Sequence, residues 1–269
     1  MTPTSTLASK RTWRLTSQPD NIKPMEVKAE KINPYDNTRS KTEQVKEMFD
    51  SIAPAYDFMN RMMTFGIDKL WRRKAVSMLR RHPHQHILDV ATGTGDLALL
   101  LNRKLRPGRL TGIDLSEGMI AIAQQKAEAA GAGDSVRFMT GDCLDLPFAP
   151  EVFDCITVAY GVRNFEHLDA GYREMYRVLQ RGGVLCVIEL SVPTSKLIRP
   201  LYNLYTHHVI PLVGKAVSHD VRAYSYLPES IAAVPQGDEM LRLMRDAGFR
   251  DCRFKRLTFG TCTIYIGIK

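Results

Sequence analysis

The stretch Ile87-Leu88-Asp89-Val90-Ala91-Thr92-Gly93-Thr94-Gly95-Asp96 decides the fold. An apolar run broken by one acid reads as a strand covered on both faces. The glycines Gly93 and Gly95 at its exit read as a tight turn where backbone can come close to a ligand, and a helix opens near Asp96. The same alternation repeats downstream. Strands are expected over 86–91, 110–114, 136–140, 153–159 and 184–190, with helices from residue 96, over 117–130 and over 169–179. Strands separated by helices imply right-handed parallel crossovers. A helix over 239–247 precedes two strands, 251–258 and 262–268, joined by only 259–261. No crossover helix fits there, so this pair is antiparallel. The expected fold class is therefore α/β: a Rossmann-like, doubly wound, mostly parallel seven-stranded sheet with a C-terminal antiparallel strand pair.

Upstream of this core, Val45, Met48, Phe49 and Ile52, then Leu70, Trp71, Val76 and Leu79, recur at helical spacing, with interruptions at Pro54 and Gly66. Residues 41–81 thus form a helical prelude to a domain spanning 41–269. Residues 1–40 mix Ser, Thr, Pro and Lys without apolar periodicity and read as a flexible basic tail that orders only near its end. Lys10, Arg11 and Arg14 precede its first acid, Asp20, and this Ser/Thr-rich start also resembles an organelle transit peptide. A helical insert is expected over 195–235, apolar but broken by Pro200 and Pro211.

The chain has 269 residues, 44% of them hydrophobic and 25% charged, with a net charge of +8. That composition suits one globular α/β domain and excludes a fibrous or wholly disordered chain. The charge alone would favour phosphate-bearing partners or an anionic membrane face. Cys143, Cys155, Cys186, Cys252 and Cys262 are odd in number and contain no C-x-x-C pair, which argues against a disulfide framework and a zinc site. No metal is expected, and a reducing cytoplasm fits best. No uncharged stretch is long enough to span a bilayer, so contact with a membrane would be peripheral.

Gly93 through Ala98 gives G-x-G-x-x-A, a turn that suits nicotinamide enzymes as well. Three acids favour an adenosine carrying an amino-acid arm: Asp89 within the first strand, Asp114 ending the second and Asp142 following the third. A strand-end acid at Asp114 can take both ribose hydroxyls, and Asp142 can meet the adenine amino group. The alternatives are that Asp114 caps the next helix and Asp142 opens a turn before Pro147. The order of these residues resembles the class I S-adenosylmethionine methyltransferases over roughly 87–190.

Two further stretches resemble the ubiquinone/menaquinone biosynthesis methyltransferases. They are Tyr56-Asp57-Phe58-Met59-Asn60 with Trp71, and Arg177-Val178-Leu179-Gln180-Arg181-Gly182-Gly183 leading to Glu189-Leu190-Ser191, where Gly182 and Gly183 read as a turn before the fifth strand. The segment Tyr160-Gly161-Val162-Arg163-Asn164-Phe165 is similar to a Gly-hydrophobic-Arg-Asn element of that family. Thr64 and Asp68 stand where the family has Ser and His, Gln180 and Arg181 where it has Lys and Pro, and Ala159 where many members have Ser.

The resemblance implies carbon methylation of a polyprenyl quinol with S-adenosyl-L-methionine as donor, demethylmenaquinol to menaquinol in preference to a methoxy-benzoquinol. It puts cofactor contacts at Thr94, Asp114, Asp142 and Cys143, the last through its backbone, beside Gly93 and Gly95. Tyr56, Asn60 and Asn164 become substrate-pocket residues, while Met59 and Met63 read as core. Arg163 follows the fourth strand and is the candidate for stabilising a phenolate, since guanidinium stays charged; Tyr160 would bind the ring or relay a proton. The insert, with Arg199, His207, His208 and Lys215, would line a groove for the prenyl tail, rest on a membrane surface or cap the core; His219 with Asp220 reads as an ordinary loop pair, with a proton relay as the alternative.

A nicotinamide oxidoreductase and a silent cofactor-binding scaffold are the rivals. A nucleic-acid methyltransferase is disfavoured because the Tyr160 segment lacks the Asn-Pro-Pro-aromatic pattern. The expected partners are then the quinol and a membrane surface touched peripherally, without nucleic acid, and a homodimer stays open.

Overall fold

Apolar alternation in β1 (His86–Val90) sends Ile87 into one core and Leu88 and Val90 into another on the opposite sheet face. The computed structural model describes residues 27–209 and 221–269. Its sheet has seven strands in the order β3-β2-β1-β4-β5-β7-β6. β2 (Arg109–Asp114), β3 (Val136–Thr140), β4 (Phe153–Ala159) and β5 (Leu179–Leu190) join β1 in parallel. β6 (Arg250–Leu257) and β7 (Cys262–Ile268) are antiparallel, with β7 inserted beside β5. The order reverses between β1 and β4, and in open α/β sheets the crevice at such a point receives ligands.

Helices cover both faces. α1 (Lys41–Thr64) and α2 (Asp68–Leu79) form the prelude, and α3 (Asp96–Leu105) and α4 (Glu117–Ala129) follow the first two strands. α5 (Leu168–Val178) precedes β5. α6 (Ile198–Leu204), continuing into a π-helical turn at Tyr205–Val209, and α7 (Val221–Ala233) belong to the insert, and α8 (Asp238–Asp246) packs beside β6.

Three sequence expectations change. Pro54 does not break α1, because it lies on the exposed face, where a carbonyl left without its N–H partner is met by water. The break comes at Phe65 and Gly66, both with positive φ. Gly182 and Gly183 form no turn ahead of the fifth strand. They sit inside β5 as a bulge, where the register slips between Phe153 and Cys155, and their backbone groups pair with Lys269. Pro200 is tolerated because it occupies the first turn of α6.

Of the segment assigned to the tail, residues 27–40 pack on the domain. Val27 and Ala29 are buried, and Glu30 Oε1 accepts the Leu168 N–H at 2.7 Å, supplying the acceptor that the N-terminus of α5 needs. The rest of that segment, with Lys10, Arg11 and Arg14, lies outside the described residues, as do Pro211, Lys215, His219 and Asp220.

Candidate active site

Two cavities share a wall at Tyr56 and Tyr160. The first, about 700 Å³, lies over the strand tips at the order reversal and is lined by Ala91, Gly93, Asp114, Asp142, Cys143 and Asn164, with α1 as its roof. The second, about 1020 Å³, is lined by Asn60, Trp71, Arg163, Leu190, Tyr202, Tyr205 and Ile231. Ala91 and Tyr160, at the exits of β1 and β4, hold φ of +50° and +61°, a region that costs a non-glycine residue about 1 kcal/mol or more. A Cβ on Gly161 would stand 2.6 Å from Ala91 Cβ, so only glycine lets these two exits approach.

Asp114 is the electrostatic centre of the first cavity. Its carboxylate accepts the Gly93 N–H at 2.7 Å and the Ser116 N–H at 3.0 Å. Burial raises its pKa, which the N–H groups of Ser116 and Gly93 oppose and the nearby Asp50 charge reinforces. No cation faces it in an ion pair among the described residues. A ligand offering hydroxyl donors, such as a ribose diol, would satisfy its remaining lone pairs. Ser116, not Asp114, caps α4, accepting the Met119 N–H at 3.0 Å. Asp142 opens a turn, its Oδ1 accepting the Leu144 N–H at 2.8 Å, and lines the cavity as well. Burial pushes the Cys143 thiol well up, so it stays protonated.

The glycine turn divides. A Cβ on Gly93 (φ +56°) would meet nothing nearer than Tyr56 Cε1 at 3.9 Å, so the space in front of it is open to a ligand. A Cβ on Gly95 would meet Phe138 Cζ at 2.8 Å, so Gly95 serves helix-on-strand packing. Neither Gly95 nor Thr94 lines the cavity. Thr94 Oγ1 donates to Asp57 Oδ1 at 2.6 Å, and Lys126 bridges Asp57 (2.8 Å) and Asp96. Arg72 completes the chain by pairing with Asp68 and, at 3.0 Å, with Asp96. This network fastens α1 and α2 to the turn. Asp89 lies behind the rim, bonded to Thr92 and Thr157, and burial raises its carboxyl to about 6.

Arg163 is buried, not a solvated loop charge. Its Nη1 meets Glu189 Oε1 at 3.2 Å and donates to the Tyr160 carbonyl, while Lys41 Nζ holds the Arg163 carbonyl at 3.1 Å. Among the described residues, Arg163 Nε and the Tyr160 hydroxyl are both buried without a hydrogen-bond partner. Such atoms beside a cavity are suited to a polar ligand atom. Burial drives the Tyr160 hydroxyl far above its usual pKa, making it a donor rather than a base near neutral pH. Asn164 accepts the Tyr226 hydroxyl at 3.1 Å, tying α7 to the cavity wall. Asn60 lies one turn after Tyr56 on α1 and faces the second cavity; Met59 is buried core, and Met63 borders that cavity.

Residues 37–269 match the ubiE/COQ5 methyltransferase family. The chain belongs to that family. It is similar to a demethylmenaquinone methyltransferase from Bacteroides fragilis, 48% identical over 91% of this chain and 100% of the relative. It also resembles a ubiquinone/menaquinone biosynthesis C-methyltransferase, UbiE, from Geobacter sulfurreducens, at 40% identity over 91% of this chain and 95% of the relative. Among solved structures, a methyltransferase from Thermotoga maritima superposes with a TM-score of 0.60 at 21% identity, covering 83% of this chain and 99% of its own. The cyclase SpnF superposes with a TM-score of 0.62 at 18% identity, covering 85% and 96%. A methyltransferase and a cyclase on one scaffold show that this likeness carries the fold and not the reaction.

This family member is an S-adenosylmethionine-dependent methyltransferase, and Asp114 presents a carboxylate with lone pairs to spare at its cavity. Sequence reasoning missed Asp57, Lys126, Glu189 and Tyr226. Glu189 carried a signal, an acid inside an apolar strand that requires a buried cation nearby. Asp57 lay within a family motif but without a visible partner. Lys126 and Tyr226 carried none, because their partners come from distant helices.

Proposed function

We propose that this methyltransferase methylates a ring carbon of a polyprenyl quinol, converting demethylmenaquinol to menaquinol. The observation that carries the reading is the wall at Tyr56 and Tyr160, shared by an acid-lined nucleoside cleft and a larger apolar cavity. The names of the relatives at 46% and 48% identity favour the naphthoquinol.

Bound in the first cavity, S-adenosylmethionine supplies a methyl group on a positive sulfur, without need of a metal. Asp114 would hold the ribose hydroxyls, Asp142 the adenine amino group and the Cys143 backbone the adenine edge, with Gly93 leaving the space. Tyr56 and Asn60 would hold the quinol ring, and Asn164, expected there from the sequence, lies on the donor side of the shared wall. A ring carbon becomes nucleophilic as its hydroxyl ionises, so negative charge develops on that oxygen. The unpartnered Arg163 Nε and Tyr160 hydroxyl stabilise it, and Glu189 and Lys41 fix Arg163 for the task. α1 keeps water from the donor. One carbon–carbon bond forms, the sulfur–methyl bond breaks, and the ring hydrogen leaves as a proton. Because the substrate is a lipid, the chain works at a membrane surface from the cytoplasmic side.

The test is a labelled-methyl assay of the purified chain with reduced short-chain demethylmenaquinone and its methoxy-benzoquinol counterpart in parallel. Label should enter the naphthoquinol. Label in neither ring would end the proposal, and label in the benzoquinol alone would reassign the substrate.

A further inference from the structure

Three segments distant in sequence surround the apolar cavity. Tyr205 donates its hydroxyl to the Met63 carbonyl at 2.7 Å, and its ring lies 6.0 Å from that of Phe65, joining the end of α6 to the end of α1. Trp71 Nε1 donates to Thr258 Oγ1 at 2.8 Å, joining α2 to the β6–β7 turn. Phe65, Tyr202, Tyr205 and Thr258 all line the cavity. The segments that supply these lining residues also expose Phe65 (79%), Leu197 (85%), Leu201 (66%), Leu204 (58%) and Phe259 (76%). Large apolar side chains concentrated on the segments that line one cavity are the pattern of an interaction surface, unlike exposed leucines scattered singly.

Charge identifies the occupant. Residues 58–74, 192–209 and 255–261 contain a single acid, Asp68, which is buried and paired with Arg72. The same segments expose Arg61, Lys69, Arg73, Lys196, Arg199 and Lys255. Segments that carry protruding apolar side chains and exposed cations but no exposed acid of their own complement an anionic lipid surface, where apolar groups enter the acyl boundary and cations meet phosphates. The exposed acids nearest the cavity, Glu229 and Glu239, belong to α7 and α8. Among the described residues no helix is long and apolar enough to cross a membrane.

We propose that the Phe65, α6 and Phe259 rim docks on anionic bilayers and sets the mouth of the apolar cavity against the lipid, so that a prenylated substrate enters without crossing water. This rests on the quinol reading for the purpose of the docking, but the docking itself is testable without any quinol.

The experiment is co-sedimentation of the full chain with vesicles of phosphatidylcholine alone and of phosphatidylcholine mixed with phosphatidylglycerol. Anionic vesicles should retain the native chain more tightly. Leu201→Glu with Leu204→Glu, both outside the cavity lining, should weaken retention by about tenfold or more. Turnover of a short-chain, water-soluble quinol should remain at the native level. Lys196→Gln with Arg199→Gln, which flank the exposed Leu197, should shrink the preference for anionic over neutral vesicles. Unchanged retention of the leucine double variant, or equal retention on both vesicles, would overturn the proposal. A native dimer that the leucine variant dissolves would assign this face to a second copy instead and overturn it too. Vesicle binding without methylation of the soluble quinol would refute the substrate reading and leave the docking intact.

Discussion

The two cavities that meet at Tyr56 and Tyr160 are built in opposite ways. The first cavity, which we assign to the cofactor, is roofed by α1 but takes Asp114 and Asp142 from strand tips and the turns that follow them, places the topology dictates. The apolar cavity draws on the α1–α2 corner, α6, α7 and the β6–β7 turn, brought together only by tertiary packing. On the proposed function, a sheet edge generates a general donor site and peripheral additions generate the choice of acceptor. This matches a fold that serves both a methyltransferase and a cyclase.

The strongest way to break the comparison is Asp114→Asn. Losing the charge behind two charge-assisted hydrogen bonds should weaken S-adenosylmethionine binding by about 100-fold or more, measured by calorimetry. The KM for the quinol should stay within a factor of a few; a shift there as large as that in donor affinity would show that the cleft and cavity are one site.

On the acceptor side, Arg163→Ala alone leaves Glu189 buried without its cation and invites unfolding. Arg163→Ala combined with Glu189→Gln removes that complication. Its kcat should fall by about 100-fold at unchanged donor affinity. Turnover within a factor of a few of the native chain would remove Arg163 from the chemistry.

The smallest effect concerns an acid that supports the cleft without entering it. Burial raises Asp89 to about 6, whereas an unfolded aspartate titrates near 4. The folded state holds that proton more tightly, so the group's stabilising contribution is complete below about pH 4 and is lost as pH rises through about 6. Asp89→Asn eliminates this loss. Urea unfolding should show the variant gaining about 2 kcal/mol on the native chain between roughly pH 4.5 and 7.5. A constant difference across that range would mean that Asp89 titrates normally.

Strand pattern made most of the fold legible. β3 and β4 follow their apolar runs, β3 ending before Gly141 and β4 where Tyr160 takes a positive φ, and the short link before β7 forces antiparallel pairing. Glycine misled at Gly182, where the same residue type that makes turns makes a bulge instead. The position of Asp114 and Asp142 at the first cavity was readable because strand ends converge whatever surrounds them. Thr94 and Gly95 were not, because adjacency in sequence to Gly93 says nothing about direction: one side chain turns to Asp57 and the other position is closed by Phe138. The ordering of residues 27–40 was hidden for another reason. Glu30 and Lys41 gain their roles only from partners near Leu168 and Arg163, more than a hundred residues away.

β7 occupies an interior place in the sheet, between β5 and β6, although it follows both in the chain. During synthesis, the ribosome must therefore release residue 268 before β5 acquires its antiparallel neighbour. Until then a nascent chain presents an unpaired hydrophobic edge along Val184 to Leu190, the kind of edge that chaperones protect and aggregation exploits.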